Sequence, residues 1–290
     1  MQSKRLDKNN PWLVGIISGL VVTILGGAFL YFIFQYPKEK AEKELIVTSL
    51  ESANKLLSNN ICEEALIKYK EIIKTLSKAK EPEIYAEINN NVGICYEKLA
   101  DKNNKEENLK QAIDAYEEAL KIFTLEIYPV DYAITQDNLG TAYRTHSEVR
   151  EKEESLQKAI HAYDEALKIR TVERYPSDYA MTQDNLGTAY RTLSEVRDKE
   201  ENLQKAIHAY EEALQILTVE RYPVDYAITQ DNLGTAYRTH SEVRDKEENL
   251  QKAIHAYEEA LKIRTVERYP LLHKIVLLNM KFAKRQLSSW

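Results

Sequence analysis

The chain has 290 residues, 43% hydrophobic and 30% charged, with only 8 glycines and 7 prolines. That composition excludes a low-complexity disordered chain, a collagen-like chain and a disulfide scaffold. The formal net charge is −6; residues 1–36 carry +2, so the remainder carries −8, and an acidic body argues against nucleic acid as a partner because phosphates need a basic face.

Residues 1–11 are a short polar tail. Residues 12–34 form a run of 23 without a charge. At about 1.5 Å per residue the run reaches roughly 35 Å, enough to cross a bilayer, and a transmembrane helix is predicted over 12–36. The run is too long for a cleaved signal peptide. Trp12, Tyr31 and Tyr36 suit the interfacial aromatic belt. Three basic residues (Lys4, Arg5, Lys8) precede the span and three (Lys38, Lys40, Lys43) follow it, so charge does not fix the orientation. A short N-terminal tail in the cytoplasm is the usual arrangement of such an anchor. Gly15, Gly19, Thr23 and Gly27 recur every fourth residue, a small-residue stripe for self-association into a homo-oligomer.

A charged linker with helical character occupies 37–45. From there on the punctuation is periodic. Gly93, Gly140, Gly187 and Gly234 are 47 residues apart, as are Pro82, Pro129, Pro176, Pro223 and Pro270. A fixed period of this size marks a repeat array over 46–270, with units at about 46–81, 82–128, 129–175, 176–222 and 223–270. Each unit reads as two helices. The first opens at the proline, whose fixed φ suits a first turn, and in 129–175 buries Leu139, Tyr143 and His146. Asn104, Glu151, Asp198 and Asp245, each with a glutamate three residues on, mark the start of the second helix, and three of the four have the form of a capping box. The second helix carries Leu156, Ala159, Ile160, Tyr163, Ala166, Leu167 and Ile169 and ends before the next proline. Residues 271–290 read as a capping helix, with Leu271, Leu272, Ile275, Val276, Leu278 and Phe282 as its apolar side.

Leu139-Gly140-x-x-Tyr143, Ala159-x3-Tyr163 and Pro176 resemble the signature of the tetratricopeptide repeat. The marks recur as Leu186-Gly187, Tyr190, Ala206, Tyr210 and Pro223, and as Leu233-Gly234, Tyr237, Ala253, Tyr257 and Pro270; Val92-Gly93, Tyr96, Ala112, Tyr116 and Pro129 form an earlier copy. In residues 42–80, Ala53 takes the glycine slot and Ala65 and Tyr69 begin the second-helix pattern. The usual tryptophan is replaced by Gln136, Gln183 and Gln230, and the period is longer than the family's common one. The resemblance implies an all-α, right-handed solenoid of helical hairpins behind the membrane helix, acting as a protein-binding scaffold.

First helices line the concave face of such arrays. Opposite the Leu139/Tyr143 stripe lie Asp137, Asn138, Thr141 and Arg144; the next copies present Asp184, Asn185, Thr188 and Arg191, then Asp231, Asn232, Thr235 and Arg238. Asparagine can both donate to and accept from a peptide backbone, and arginine can hold a carboxylate with two bonds. These residues are the candidate groove for a peptide or partner protein. His161, His208 and His255 read as surface residues, and Cys62 and Cys95 as small core residues without metal spacing. No nucleotide, metalloprotease or hydrolase motif occurs, so neither an enzyme nor a metal or other cofactor is expected. The function read from these features is a single-pass, membrane-anchored interaction scaffold. A factor holding client proteins at the membrane and a structural oligomer are the alternatives.

Overall fold

The computed structural model describes residues 36–289. The tail, the predicted membrane segment and its stripe of Gly15, Gly19, Thr23 and Gly27 lie outside the described residues. Among those described, no helix is long and apolar enough to cross a membrane.

Eleven helices run through the described residues: α1 (Tyr36–Ser58), α2 (Cys62–Thr75), α3 (Pro82–Ala100), α4 (Lys105–Leu120), α5 (Pro129–His146), α6 (Lys152–Leu167), α7 (Pro176–Leu193), α8 (Lys199–Leu214), α9 (Pro223–His240), α10 (Lys246–Ile263) and α11 (Pro270–Ser288). Successive helices pair into hairpins and hairpins stack in chain order. The odd-numbered first helices also touch one another from repeat to repeat, whereas no two second helices do. The first helices are therefore the crowded inner row and the second helices the spread outer row. That difference in spacing gives the array its inner face.

Proline opens α3, α5, α7, α9 and α11 at their first turn, where a missing N–H costs nothing. Inside each hairpin a glycine and a tyrosine set the crossing. Tyr116, Tyr163, Tyr210 and Tyr257 are fully buried, with the ring edge against Gly93, Gly140, Gly187 and Gly234 respectively. The buried hydroxyls are satisfied: Thr141, Thr188 and Thr235 lie 3.1, 3.1 and 3.2 Å from the tyrosine oxygens of their own hairpins. Tyr69 donates to Asn54 Oδ1 at 2.6 Å, and the adjacent Ala53 stands where the later copies have glycine. Leu109, Leu156, Leu203 and Leu250 complete the core at one per repeat, each worth about 1.5–3 kcal/mol of burial. Cys62 and Cys95 are free thiols within the first core cluster.

Three sequence expectations need correction. The boundary at Asn104, Glu151, Asp198 and Asp245 is real, but none of these side chains caps its helix. Each sits in the left-handed region instead, with φ of 42°, 47°, 41° and 42°. The chain reverses there within a few residues, and a positive φ makes the turn that a capping box would not. In three copies a side chain four residues on closes the loop: Asn108, Asn202 and Asn249 donate to the carbonyls of Asn103, Arg197 and Arg244, each at 2.8 Å. Second, α6 stops at Leu167, well short of Pro176, and Ile169 lies in the connecting turn. Third, only part of the apolar side of α11 docks: Val276 and Ala283 are buried, while Leu271, Leu272, Ile275, Leu278 and Phe282 stay exposed. Helix α11 keeps the register of a first helix, and that register turns Val276, Met280, Ala283 and Leu287 to the array.

Candidate functional site

The sequence-predicted groove residues all fall on the first helices α5, α7 and α9, and all are partly exposed. They divide by what they bond. The aspartates fasten helices both within a repeat and from one repeat to the next. Asp137 Oδ1 accepts from Thr182 Oγ1 at 2.8 Å and lies 3.2 Å from Arg170 Nη1, which itself donates to Thr182 at 2.8 Å. Asp231 accepts from Arg264 Nη1 at 2.6 Å. Asp184 has Leu217 at the position that corresponds to Arg170 and Arg264, and its carboxylate takes Thr229 and Asn232 as hydrogen-bond partners. Burial pushes all three carboxyls above the usual aspartate range, against the pull of these partners.

Asn138 and Asn232 bridge neighbouring first helices. Asn138 Nδ2 donates to Asn90 Oδ1 at 3.2 Å, and Asn232 Nδ2 to Asp184 Oδ1 at 3.4 Å. Asn279 of α11 bonds Asp231 in the same way. The threonines serve the buried tyrosines described above.

The arginines are the least committed. Arg144 and Arg191 bond the hydroxyls of Tyr163 and Tyr210 through their guanidinium groups. Each keeps a buried Nε–H without a partner. Arg191 and Arg238 reach exposed glutamates, Glu195 and Glu242, only at 4.0 Å. Arg238 lies over the ring of Phe282, 5.5 Å from its centroid.

The ladder is longer than the three near-identical copies suggest. The same 47-residue step carries the asparagine row to Asn91 and Asn279, and the arginine row to Glu97 and Arg285. The signal was the period itself, continued into the diverged flanks. Glu97 reverses the sign at the head of the row. It accepts from Tyr116 at 2.9 Å, and burial pushes its carboxyl up to about 7 despite that bond and the nearby Arg144. Glu97, Lys98, Asp101, Asn138, Thr141 and Arg144 line a cleft of about 460 Å³.

The predicted histidine positions fall as the spacing implies. His161, His208 and His255 are exposed on second helices. His146 is buried with Nδ1 3.0 Å from Ser155 Oγ. Among the described residues no group of His, Cys, Asp or Glu is placed to hold a metal ion.

Residues 180–216 match the tetratricopeptide repeat family model. The fold is tetratricopeptide-like. The match spans most of α7 and all of α8, one unit of an array whose other units repeat it. The crystal structure of MamA protein is similar at 20% identity with a TM-score of 0.50, covering 79% of this chain and 97% of that one. The TPR2AB domain of yeast Sti1, in complex with pHSP90, aligns at 16% identity with a TM-score of 0.33, over 82% of this chain and 85% of that one. At these identities the MamA likeness shows the fold alone. No curated protein matches the chain.

Proposed function

We propose that this protein is an interaction scaffold that holds a peptide or partner protein along the inner face of its array, tethered to a membrane by residues 12–36. The observation that carries the reading is the inner face itself. Rows of asparagine and arginine run over successive first helices, and the guanidinium groups lack strong carboxylate partners. The outer helices instead satisfy their charges locally, as in Glu154–Lys158 and Glu201–Lys205. The tether rests on the 23-residue uncharged run. We propose the cytoplasmic side for the N terminus, the usual arrangement of a short tail before such an anchor.

A photo-crosslinking residue at Asn185 tests the groove, with one at the outer His208 as control. A partner captured from Asn185 alone is the expected result, lost when Arg144, Arg191 and Arg238 are all changed to Ala. Equal capture from both sites, or capture that survives the triple change, counts against the groove. Alkaline extraction of membranes, with and without residues 1–36, tests the tether. Protease treatment of intact cells tests the orientation, which fails if the repeats are protected.

A further inference from the structure

The last helix of the array is built unlike the others. Helix α11 keeps the register of a first helix, so its residues have counterparts 47 positions earlier. Lys281 stands in the slot of Gly140, Gly187 and Gly234, against which the other hairpins seat the buried tyrosine of their own second helix. Lys274 stands in the slot of Ala133, Ala180 and Ala227, all of them buried. Two long charged side chains therefore occupy the places where a further helix would have to come close. The end of the array is closed to another hairpin, whether of this chain or of a second copy.

What that end presents instead is apolar and basic. Leu271, Ile275, Leu278 and Phe282 recur at helical spacing and are 69%, 43%, 56% and 50% exposed. At about 100° per residue their stripe lies roughly 140° round the helix from Val276, Met280, Ala283 and Leu287, which pack on the array. Lys274, Lys281 and Arg285 border the stripe along one side, roughly 70° away. Helix α11 carries four cations and no acid, in a chain of net charge −6. Lys284 is spent within the fold, on Glu258 at 2.9 Å. Asp231, which bonds Asn279 of α11, is held by Arg264. Among the described residues Lys274, Lys281 and Arg285 form no ion pair.

From this combination we infer that α11 is a contact helix for the surface of an anionic lipid bilayer. The four apolar side chains enter the boundary between headgroups and acyl chains, and Lys274, Lys281 and Arg285 meet the lipid phosphates. Charge and shape together select that occupant. A bilayer is an anionic plane that can cover a terminal helix along its whole length, with apolar depth beneath the headgroups for the leucines and the phenylalanine. A second copy docked through the same end would bring like cations together. Each basic residue near an anionic surface is worth about fivefold in partitioning, so three without partners make a substantial attraction. The inference is independent of the groove. It adds a membrane contact at the C-terminal end of the array, whereas the proposed tether precedes the first helix.

Cys62 and Cys95 are buried, so an apolar fluorescent thiol probe is directed to Leu278→Cys, or to His208→Cys on an outer helix as control. The labelled full chain is reconstituted into vesicles of phosphatidylcholine alone or with about a third phosphatidylglycerol, with nitroxide on the lipid chains as quencher. In the anionic vesicles the probe at 278 should shift to the blue and lose at least about half its emission to the nitroxide, while the probe at 208 should not. Neutral lipid or high salt should remove most of that quenching. Lys274→Glu, Lys281→Glu and Arg285→Glu together should abolish it with helicity by circular dichroism unchanged, because all three side chains are exposed. The milder pair Lys274→Gln and Lys281→Gln should weaken the association at least about fivefold. No more quenching at 278 than at 208, equal quenching in neutral vesicles, or quenching that survives both sets of changes overturns the inference. A blue shift without lipid quenching that grows with protein concentration overturns it in favour of a second copy. Capture from Asn185 and alkaline extraction report on the groove and the tether separately.

Discussion

A methyl group added at Gly187 would sit 2.8 Å from Cε1 of Tyr210, a ring with no exposed surface. Two effects of opposite sign compete there. Alanine favours helix over glycine by up to about 1 kcal/mol, whereas forcing a buried ring aside costs about 1–3 kcal/mol. The packing term wins, so Gly187→Ala is expected to lose about 1–2 kcal/mol by urea denaturation, and Tyr210→Leu in the same chain should recover part of it. Glu97 makes a pH-dependent case. Its carboxyl rises from 4.5 to about 7 in the fold, so the folded state holds the proton more tightly. The associated stability is present below pH 4.5 and is lost as pH rises through about 7. Glu97→Gln keeps the acceptor for Tyr116 and cannot ionise. The variant should match wild type near pH 4 and exceed it by roughly 1–3 kcal/mol at pH 8. Parallel pH–stability curves would refute this. The recurrence of the glycines and tyrosines was legible in the sequence; the packing of Tyr210 on Gly187 inside the hairpin was not. The raised carboxyl was not, because it depends on which groups from α4 and α5 enclose Glu97.

Helix ends show how far local pattern carries. The prolines located every first-helix start from α3 onward, since the ring restricts φ regardless of what packs nearby. The starts of the second helices were placed well and explained wrongly. A polar residue three positions before a glutamate fits a capping box, but the tight reversal demands a positive φ, which Asn and Asp tolerate better than other residues. Glu151 is the exception among the four, and it has no side-chain cap to offset its strain. Glu151→Gly is expected to raise stability by about 0.5–1 kcal/mol, and Asp198→Gly by less, both read as midpoint shifts in thermal unfolding. A loss at Glu151 would mean its contact with Arg150 outweighs the strain. Helix α11 carries the opposite lesson. Its hydrophobic residues suggested a capping side, yet the face that docks is fixed by the register inherited from Pro270, and most of the apolar stripe is left exposed.

Across the molecule, each hairpin contacts only its neighbours, so stability is a sum of unit and interface terms. Deleting residues 176–222 joins Tyr175 to Pro223 in the same Tyr-Pro context and brings equivalent faces together. The shortened chain should fold with unchanged helicity per residue by circular dichroism and a lower unfolding midpoint. Deleting only 176–198 leaves α8 without its partner helix and should abolish the single cooperative transition. If both deletions behaved alike, stacking in 47-residue units would not be the organising rule.

The sequence by itself determined the unit, its length and the two helices in it, because the period is a property of the chain alone. It also put the groove candidates on one face of each first helix, since helical spacing fixes that without a partner. Only the tertiary structure decided what those residues do to one another. The aspartates proved to be latches, Asp137 with Thr182 and Asp184 with Asn232 across repeats and Asp231 with Arg264 within one, because folding brings together groups 33 to 48 residues apart. The arginines were left with distant carboxylate partners, because they project from the inner row where no second helix covers them.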